Sequence, residues 1–168
     1  MIKLYANPYD ISAGGFYFGR EEEYNTKAAK LRNDYGDPVE EFEIEFIEGE
    51  LIDCELATAW GINQCNFPDF LEKCDEWEDG EKVRFIIAVG ECGFDADKAS
   101  AKPYELDIDI YEEDSMRDLA ERFVEEGYFG EIPKPLEFYI DYDAIARDLS
   151  VDYSETVIDG GRLIYRCI

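Results

Sequence analysis

The residues of this sequence best suited to chemistry are carboxylates, which are densest at residues 107–114 (DIDIYEED) and 95–98 (DADK). Paired carboxylates can act as general acid and base, or can hold Mg²⁺. In the first cluster the acids alternate as on a strand, and neither cluster has the glycine and closing glutamate of a calcium-binding loop. Because the chain has 42 acidic residues, such clusters arise by chance. We therefore expect no catalytic site, no metal site and no cofactor, and a carboxylate-based metal-dependent enzyme is the less favoured alternative.

Thiols are the other candidate nucleophiles. The five cysteines, at positions 54, 65, 74, 92 and 167, form no CxxC pair, and the chain has no histidine. A zinc site therefore lacks its usual ligands, and no imidazole base is present to activate a thiol. The odd number and irregular spacing favour reduced, mostly packed thiols that fill the core. The sequence also has no glycine-rich phosphate loop and no G-x-S-x-G motif, so we expect no enzyme.

The charge of the chain is extreme. Its 42 acidic and 16 basic residues give a net charge of −26 over 168 residues. Hydrophobic residues make up 46% and aromatic residues 15%, too many for a disordered acidic tail, so the chain folds. Self-repulsion opposes compaction, and a need for solubility explains such a charge poorly. A salt-adapted acidic surface is one interpretation, and a strongly positive partner is the sharper one.

The same charge bears on where the protein acts. A negative chain is repelled by nucleic acid and by anionic lipid, so we expect neither direct nucleic acid binding nor a membrane partner. The opening residues MIKLYANPYD do not form a signal peptide, and the longest apolar run, FIIAV at 85–89, is too short to span a bilayer. We expect a soluble, cytoplasmic protein.

Hydrophobic periodicity predicts strands and helices in the first part of the chain. Strands are expected at residues 2–6 and 16–19, with a helix over 21–33. In EEFEIEFIE, at 40–48, apolar and acidic residues alternate, which is typical of a half-buried strand. The acids would then line its outer face about every 6.8 Å.

In the rest of the chain some segments have clear helix or strand patterns and one is ambiguous. A short helix is expected over 67–77, whereas KVRFIIAVGEC at 82–92 is rich in β-branched residues and could be a strand. LDIDIY at 106–111 predicts a second strand with outward carboxylates. Ser115 with Asp118 forms a capping-box pattern that begins a helix ending at Gly127, and DGG at 159–161 indicates a hairpin.

The stretch LEFYIDYDAIARDL, residues 136–149, has the pattern of an amphipathic helix. Phe138, Tyr142, Ile145 and Leu149 would form its apolar stripe, with acids opposite. Asp143 stands four residues before Arg147, a spacing that favours an ion pair. Taken alone, this pattern indicates no more than a surface helix that packs one face.

The order of residues within that stretch is more specific. YIDYDAIARDL at 139–149 closely resembles the antirestriction motif of the ArdA family. Its surroundings are also similar: an acidic amphipathic helix, a glycine, an EIP turn, the motif and a closing hairpin. The resemblance is good over residues 115–167, weaker in the opening strands and faint between residues 57 and 104.

The resemblance implies a fold and a function. ArdA proteins are elongated acidic homodimers, encoded on mobile genetic elements, that mimic bent B-DNA. They occupy the DNA-binding groove of type I restriction–modification enzymes, chiefly the methyltransferase core, and block restriction and often modification. The family fold is α+β: an N-terminal α+β unit (here 1–56), a mainly helical middle (57–104) and a C-terminal α+β unit with the motif (105–168). It therefore favours a helix over 82–92.

Two sets of residues follow from the acidic faces and the resemblance. The first is the DNA-mimic surface: Glu41, Glu43, Glu45, Asp107, Asp109, Asp118, Glu121, Glu125, Glu137, Asp141 and Asp148. The second is the antirestriction motif and dimer contact: Tyr139, Asp141, Tyr142, Ile145, Arg147 and Asp148. B-DNA carries one charge per ~1.7 Å, so the net charge corresponds to roughly 13 base pairs for each protomer.

The target of such a mimic is open at this point. An acidic dimer could occupy a repressor, a nucleoid protein or a nuclease instead of a restriction enzyme. Phosphate charge carries no base information, so the sequence does not separate these partners.

Overall fold

The computed structural model describes residues 1–168 as two units, Met1–Tyr104 and Glu105–Ile168. Each contains a three-stranded antiparallel sheet together with helices, which confirms the predicted α+β class. The boundary between the units follows residue 104, where the predicted middle part ends. Position 56 lies inside a helix, and the division of the first 104 residues into two parts stays a prediction.

The sheet of the first unit has the strand order β2-β1-β3. Its strands are β1 (Lys3–Pro8), β2 (Phe16–Phe18) and β3 (Phe42–Glu48), close to the predicted segments. The helix α1 (Glu21–Lys30) begins with three acids and ends with basic residues, which suits the helix dipole. It ends three residues earlier than predicted, because the chain turns extended at Leu31.

The rest of the first unit is helical. Its helices are α2 (Leu51–Trp60), α3 (Phe67–Glu76), α4 (Asp79–Phe85) and α5 (Ala96–Ala101), and a π-helical segment (Ile86–Glu91) follows α4. The sequence does not predict α2, because its apolar residues show only a weak helical periodicity. None of the helices of the protein is long and apolar enough to cross a lipid bilayer.

Residues 82–92 form a helix in spite of their β-branched composition. Phe85 and Ile87 are completely buried, and the Phe85 ring stacks on Trp60 with 4.5 Å between the ring centroids. Burial against α2 decides the conformation, since packing outweighs the intrinsic preference of short apolar runs. The helix that the family resemblance favoured is therefore confirmed.

A buried ion pair joins α2 to α4. Lys82 Nζ lies 2.7 Å from Asp53 Oδ1, and the two residues are 5% and 6% exposed. Burial alone would lower the pKa of Lys82, but the hydrogen bond and charge of Asp53 outweigh it and raise that pKa. Burial, with the nearby Asp53 charge, also raises the pKa of the Cys74 thiol well above its ordinary value.

The second unit has the strand order β4-β6-β5. Its strands are β4 (Ile108–Tyr111), β5 (Ser154–Ile158) and β6 (Gly161–Cys167), and its helices are α6 (Met116–Glu125) and α7 (Tyr142–Leu149). A short 3-10 helix covers Lys134–Tyr139, and another, Pro103–Glu105, includes the boundary between the two units. The core of the unit centres on four buried side chains: Leu119, Phe123, Tyr153 and Ile164.

The predicted ends of α6 and of the hairpin are confirmed. The Ser115 side chain accepts a hydrogen bond from the Asp118 backbone N–H, 3.2 Å away, and so caps α6. Gly127 has a φ of 79°, a left-handed conformation that ends the helix at little cost for glycine. Asp159 and Gly160 have φ values of 50° and 74°, as a tight hairpin turn between β5 and β6 requires.

The expectation of reduced thiols that fill the core is wrong in two respects: two of the cysteines are exposed, and Cys92 and Cys167 are disulfide-bonded and not reduced. Cys54 and Cys65 are exposed free thiols, and Cys74 is a half-buried free thiol. Cys54 lies on the outer side of α2, and Cys65 lies in the turn before α3. Because the two cysteines lie in different elements, the spacing between them carries no information about their burial.

Candidate functional site

The acids selected on β3 lie along the edge strand of the first sheet. Glu43 is exposed and its carboxylate has no hydrogen-bond partner, and Glu41, just before the strand, is also exposed. Glu45 is half-buried and accepts a hydrogen bond from the Asn7 side chain at 3.1 Å. Phe42 and Ile44 are buried, which confirms the predicted alternation at the start of the strand. This edge therefore presents two unpaired carboxylates, those of Glu41 and Glu43, and a third, that of Glu45, which is hydrogen-bonded to Asn7.

The acids of β4 differ from one another. Asp107 precedes the strand and is exposed, without a partner for its carboxylate. Asp109 is paired across the sheet with Arg166, whose Nε and Nη2 lie 3.1 Å and 2.5 Å from Asp109 Oδ2. The same carboxylate raises the pKa of Arg166. Much of the Asp109 charge is thus offset within the protein, which the alternating sequence pattern does not reveal.

Three selected acids lie on α6 at a spacing of three and four residues, and therefore on one helix face. Asp118 accepts a hydrogen bond from the Ser115 hydroxyl at 2.5 Å. Glu121 accepts one from Arg117 Nε at 3.1 Å. Glu125 is exposed and unpaired. On this face, only the carboxylate nearest the end of the helix is fully available to a partner.

The stretch of residues 136–149 is two short helices, and the prediction of one continuous helix is wrong. A 3-10 helix ends at Tyr139, Ile140 is extended, and α7 begins at Tyr142. The reason is Asp141, whose carboxylate accepts a hydrogen bond from the Ala144 backbone N–H at 3.0 Å. An aspartate that bonds to the backbone in this way starts a new helix instead of continuing one.

This break changes the predicted apolar stripe. Tyr142, Ile145 and Leu149 remain on one face of α7, and Leu149 packs against the core of the second unit. Phe138 lies outside α7 and is 91% exposed, and Tyr139 is 83% exposed. No residue of α7 is fully buried, although the helix is strongly amphipathic. The motif therefore leaves an aromatic and apolar surface uncovered.

The predicted pairing of Asp143 with Arg147 is also wrong. Asp143 Oδ1 lies 2.8 Å from Nη1 of Arg117 on α6, so the ion pair joins the two helices. The hydrogen bonds that Arg117 donates to Asp143 and, second, to Glu121 raise the pKa of Arg117. Its guanidinium also lies 5.9 Å from the Tyr142 ring centre. Arg147 is exposed, and its side chain has no acidic partner. Arg117 stands 26 residues from Asp143, a distance at which no local spacing rule applies.

The densest acid clusters have structural roles. Asp95 caps α5 by accepting a hydrogen bond from the Lys98 backbone N–H at 3.1 Å. Glu113 Oε1 lies 3.2 Å from Arg122 Nη1, and Asp109 is bound by Arg166 as described above. No group of three or more histidine, cysteine or acidic side chains has an arrangement that could hold a metal ion.

The structure separates the selected acids into two groups. Four accept hydrogen bonds from neighbouring side chains: Glu45, Asp109, Asp118 and Glu121. A fifth, Asp141, caps α7. Six are exposed with neither a hydrogen bond nor an ion pair on the carboxylate: Glu41, Glu43, Asp107, Glu125, Glu137 and Asp148. We call these six the free acids. Glu112, Glu131 and Asp152 are also exposed and unpaired, but the sequence does not single them out because they lie outside the strand and helix patterns.

Comparison with known proteins identifies the chain. No curated protein matches it. The family model described as antirestriction protein (ArdA), however, matches residues 20–163, which is most of the chain and covers most of each unit. The matched region contains the motif stretch together with its cap at Asp141 and its ion pair to Arg117. The protein therefore belongs to the ArdA family of antirestriction proteins, which inhibit restriction enzymes.

Proposed function

We propose that this protein inhibits type I restriction–modification enzymes in the cytoplasm by occupying the DNA-binding groove of the methyltransferase core as an acidic DNA mimic. The observation that carries the proposal is the set of free acids, which project unpaired carboxylates from strands and helices in a family of antirestriction proteins. A carboxylate without a partner can accept the arginine and lysine contacts that a groove otherwise makes to phosphates.

The distribution of charge supports this mode of binding. Residues 105–168 have 18 acidic and 6 basic residues, a net charge of −12, whereas residues 1–104 have 24 and 10, a net charge of −14. The second unit is therefore the more densely charged, although its arginines are mostly used within the unit. Arg117, Arg122 and Arg166 bind acids of the same unit, which fixes those side chains and leaves the free acids to face a partner.

We also propose that the protein is a homodimer joined through the motif. Tyr139 is 83% exposed and Phe138 beside it is 91% exposed. Tyr142 and Ile145 on α7 are half-buried, so the second unit covers this apolar surface only in part. Large apolar patches on a soluble protein mark contact sites. Two motif surfaces related by a twofold axis would cover each other with the same residues on both sides.

The inhibition is tested by plating unmodified phage on cells that express the protein, with and without a type I restriction system. We expect plating efficiency to rise toward the level of restriction-free cells only where the system is present. The matched control neutralises the six free acids to Asn or Gln while the protein stays folded, and should restore restriction. Restriction at full strength in cells with abundant wild-type protein would contradict the proposal. Measuring methylation in the same cells shows whether modification is blocked as well.

The dimer is tested by light scattering at micromolar concentration. Wild type should have the mass of two chains, and Ile145→Glu should have the mass of one because it places a charge in the apolar contact. Val157→Glu is a suitable control, since Val157 is exposed on β5, outside the motif. A monomeric wild type, or an Ile145→Glu protein that remains dimeric, would rule out this contact.

A further inference from the structure

Two turns of the first unit expose large apolar side chains. Tyr9 is 66%, Ile11 102% and Tyr35 84% exposed, and all three lie in connections beside the sheet instead of in its strands. The turns are joined to each other by hydrogen bonds: the Asn33 side chain donates to Asp10 Oδ2 at 2.9 Å, and the Asp34 N–H donates to the Ser12 carbonyl at 3.1 Å. We call Tyr9, Ile11 and Tyr35 the apolar tip.

The turns that present the apolar tip are ordered internally. The Ser12 N–H and hydroxyl both donate to Asp10 Oδ1, at 2.9 Å and 2.7 Å. In the second turn the N–H groups of Tyr35 and Asp37 donate to Asn33 Oδ1, at 3.0 Å and 2.9 Å. Loops fixed in this way lose little conformational freedom on binding, which favours affinity. The exposure of the tip is therefore a property of ordered turns.

The residues around the apolar tip identify the kind of partner. Several acids close to it along the chain are exposed: Asp34, Asp37, Glu40 and Glu41. The guanidinium of Arg32 is turned toward the end of α1, where it donates to the carbonyls of Ala29 and Leu31 at 3.0 Å and 2.7 Å. A second copy of this tip, or an anionic membrane, would bring like charges together. A basic protein surface with an apolar depression complements both the acids and the aromatic rings.

We propose that the apolar tip is an anchor that inserts into a depression within the basic DNA-binding surface of the inhibited restriction enzyme. This inference rests on the proposed function and adds a contact that DNA itself does not make. Tyrosine and other aromatic residues contribute a large share of interface energy when buried in a pocket. Burial of the apolar tip releases no condensed counterions, so it strengthens binding by a similar factor at every salt concentration. The salt dependence of binding comes from the free acids.

The test is the affinity for a type I methyltransferase core, measured between 50 and 300 mM salt. We compare wild type, the triple variant Tyr9→Ser/Ile11→Ser/Tyr35→Ser, and Val157→Ser, which removes an exposed apolar side chain of the second unit. We expect the triple variant to bind at least about tenfold more weakly, with the slope of log affinity against log salt unchanged. Val157→Ser should bind like wild type. If the triple variant unfolds, Ile11→Ser alone should weaken binding in the same parallel manner.

The outcomes separate this inference from the proposed function. If wild type fails to bind the core, both are overturned. If wild type binds and the folded triple variant binds equally well, only the anchor is overturned. A third result is a changed oligomeric state of the triple variant in sedimentation, while each protomer still binds the methyltransferase core with wild-type affinity. In that case the tip is a contact between copies of this chain, and the assignment to a basic partner is wrong.

Discussion

Arg117 on α6 and Asp143 in the first turn of α7 form an ion pair of 2.8 Å that joins the two helices of the second unit. Arg117 also binds Glu121 on its own helix and lies over the Tyr142 ring. Asp143 and Tyr142 belong to the motif stretch, whereas Arg117 comes from a different helix. The position of α7 on the unit is thus held partly by a residue outside the motif.

Replacing Arg117 should therefore weaken the docking of α7. We expect Arg117→Ala to lower the melting temperature at low salt, and the difference from wild type to shrink as salt screens the pair. Arg147→Ala removes the same charge from an exposed side chain without a partner, and is the matched control. It should leave the melting temperature near that of wild type. Equal effects of the two changes would show that the interhelix pair does not stabilise the unit.

Asp141 offers a way to separate helix capping from charge. Asp141→Ala removes the acceptor for the Ala144 N–H and should lower the free energy of unfolding by about 1 kcal/mol. Asp141→Asn removes the same charge but keeps a capping side chain, and should change that free energy by less than about 0.5 kcal/mol. Urea denaturation measures both. If the two variants were equally destabilised, charge and not the cap would be the stabilising feature.

The buried pair of Asp53 and Lys82 predicts a strong effect in the first unit. Lys82→Met leaves the Asp53 carboxylate buried without its partner and should lower the free energy of unfolding by about 3–5 kcal/mol. Lys73→Met is the control, because Lys73 pairs with the exposed Glu76 and its loss should cost at most about 1 kcal/mol. Adding Asp53→Leu to Lys82→Met should recover much of the loss. A mild effect of Lys82→Met would mean that water or rearrangement compensates the carboxylate.

The free acids should contribute to binding without holding the fold. Single changes of Glu43, Asp107 or Asp148 to the amide should alter the free energy of unfolding by less than about 0.5 kcal/mol, and relief of repulsion would favour an increase. Affinity for the enzyme should fall as successive charges are removed, and its salt dependence should flatten in step. Asp69→Asn with Asp75→Asn on α3 changes the net charge outside the selected faces and should affect affinity less. If the control changes on α3 lowered the affinity as much as the changes to the free acids, the free acids would not be the contact surface.

Local sequence signals predicted most of the elements of this fold. Three features depend only on residues close together in the sequence: the Ser115 cap, the end of α6 at Gly127 and the DGG turn. Each satisfies backbone groups within a few residues, so the local sequence is enough to predict it. Residues 82–92 could not be assigned from their own composition, because burial of Phe85 and Ile87 against α2 decides their conformation. The break at Asp141 was missed because the apolar spacing continues across it while the carboxylate begins a new helix.

The candidate surface was predictable only in part. Alternation and helix spacing place Glu43 and Glu125 on outer faces correctly. They do not show which acids are neutralised, since Asp109 and Asp143 meet arginines that are 57 and 26 residues away in the sequence. Such partners come from the pairing of strands and the packing of helices. The sequence indicates which acids face outward, but only the structure shows which of them are free of hydrogen bonds and ion pairs.

A protein that occupies the DNA-binding groove of the enzyme must exclude DNA from it. The most direct measurement is a titration of a type I methyltransferase core, bound to a labelled duplex containing its recognition sequence, with increasing amounts of the protein. We expect pure competition: the apparent dissociation constant of the duplex rises linearly with the free protein concentration, without a plateau, and no complex contains both the duplex and the protein. A plateau, or a complex containing enzyme, duplex and protein together, would contradict it.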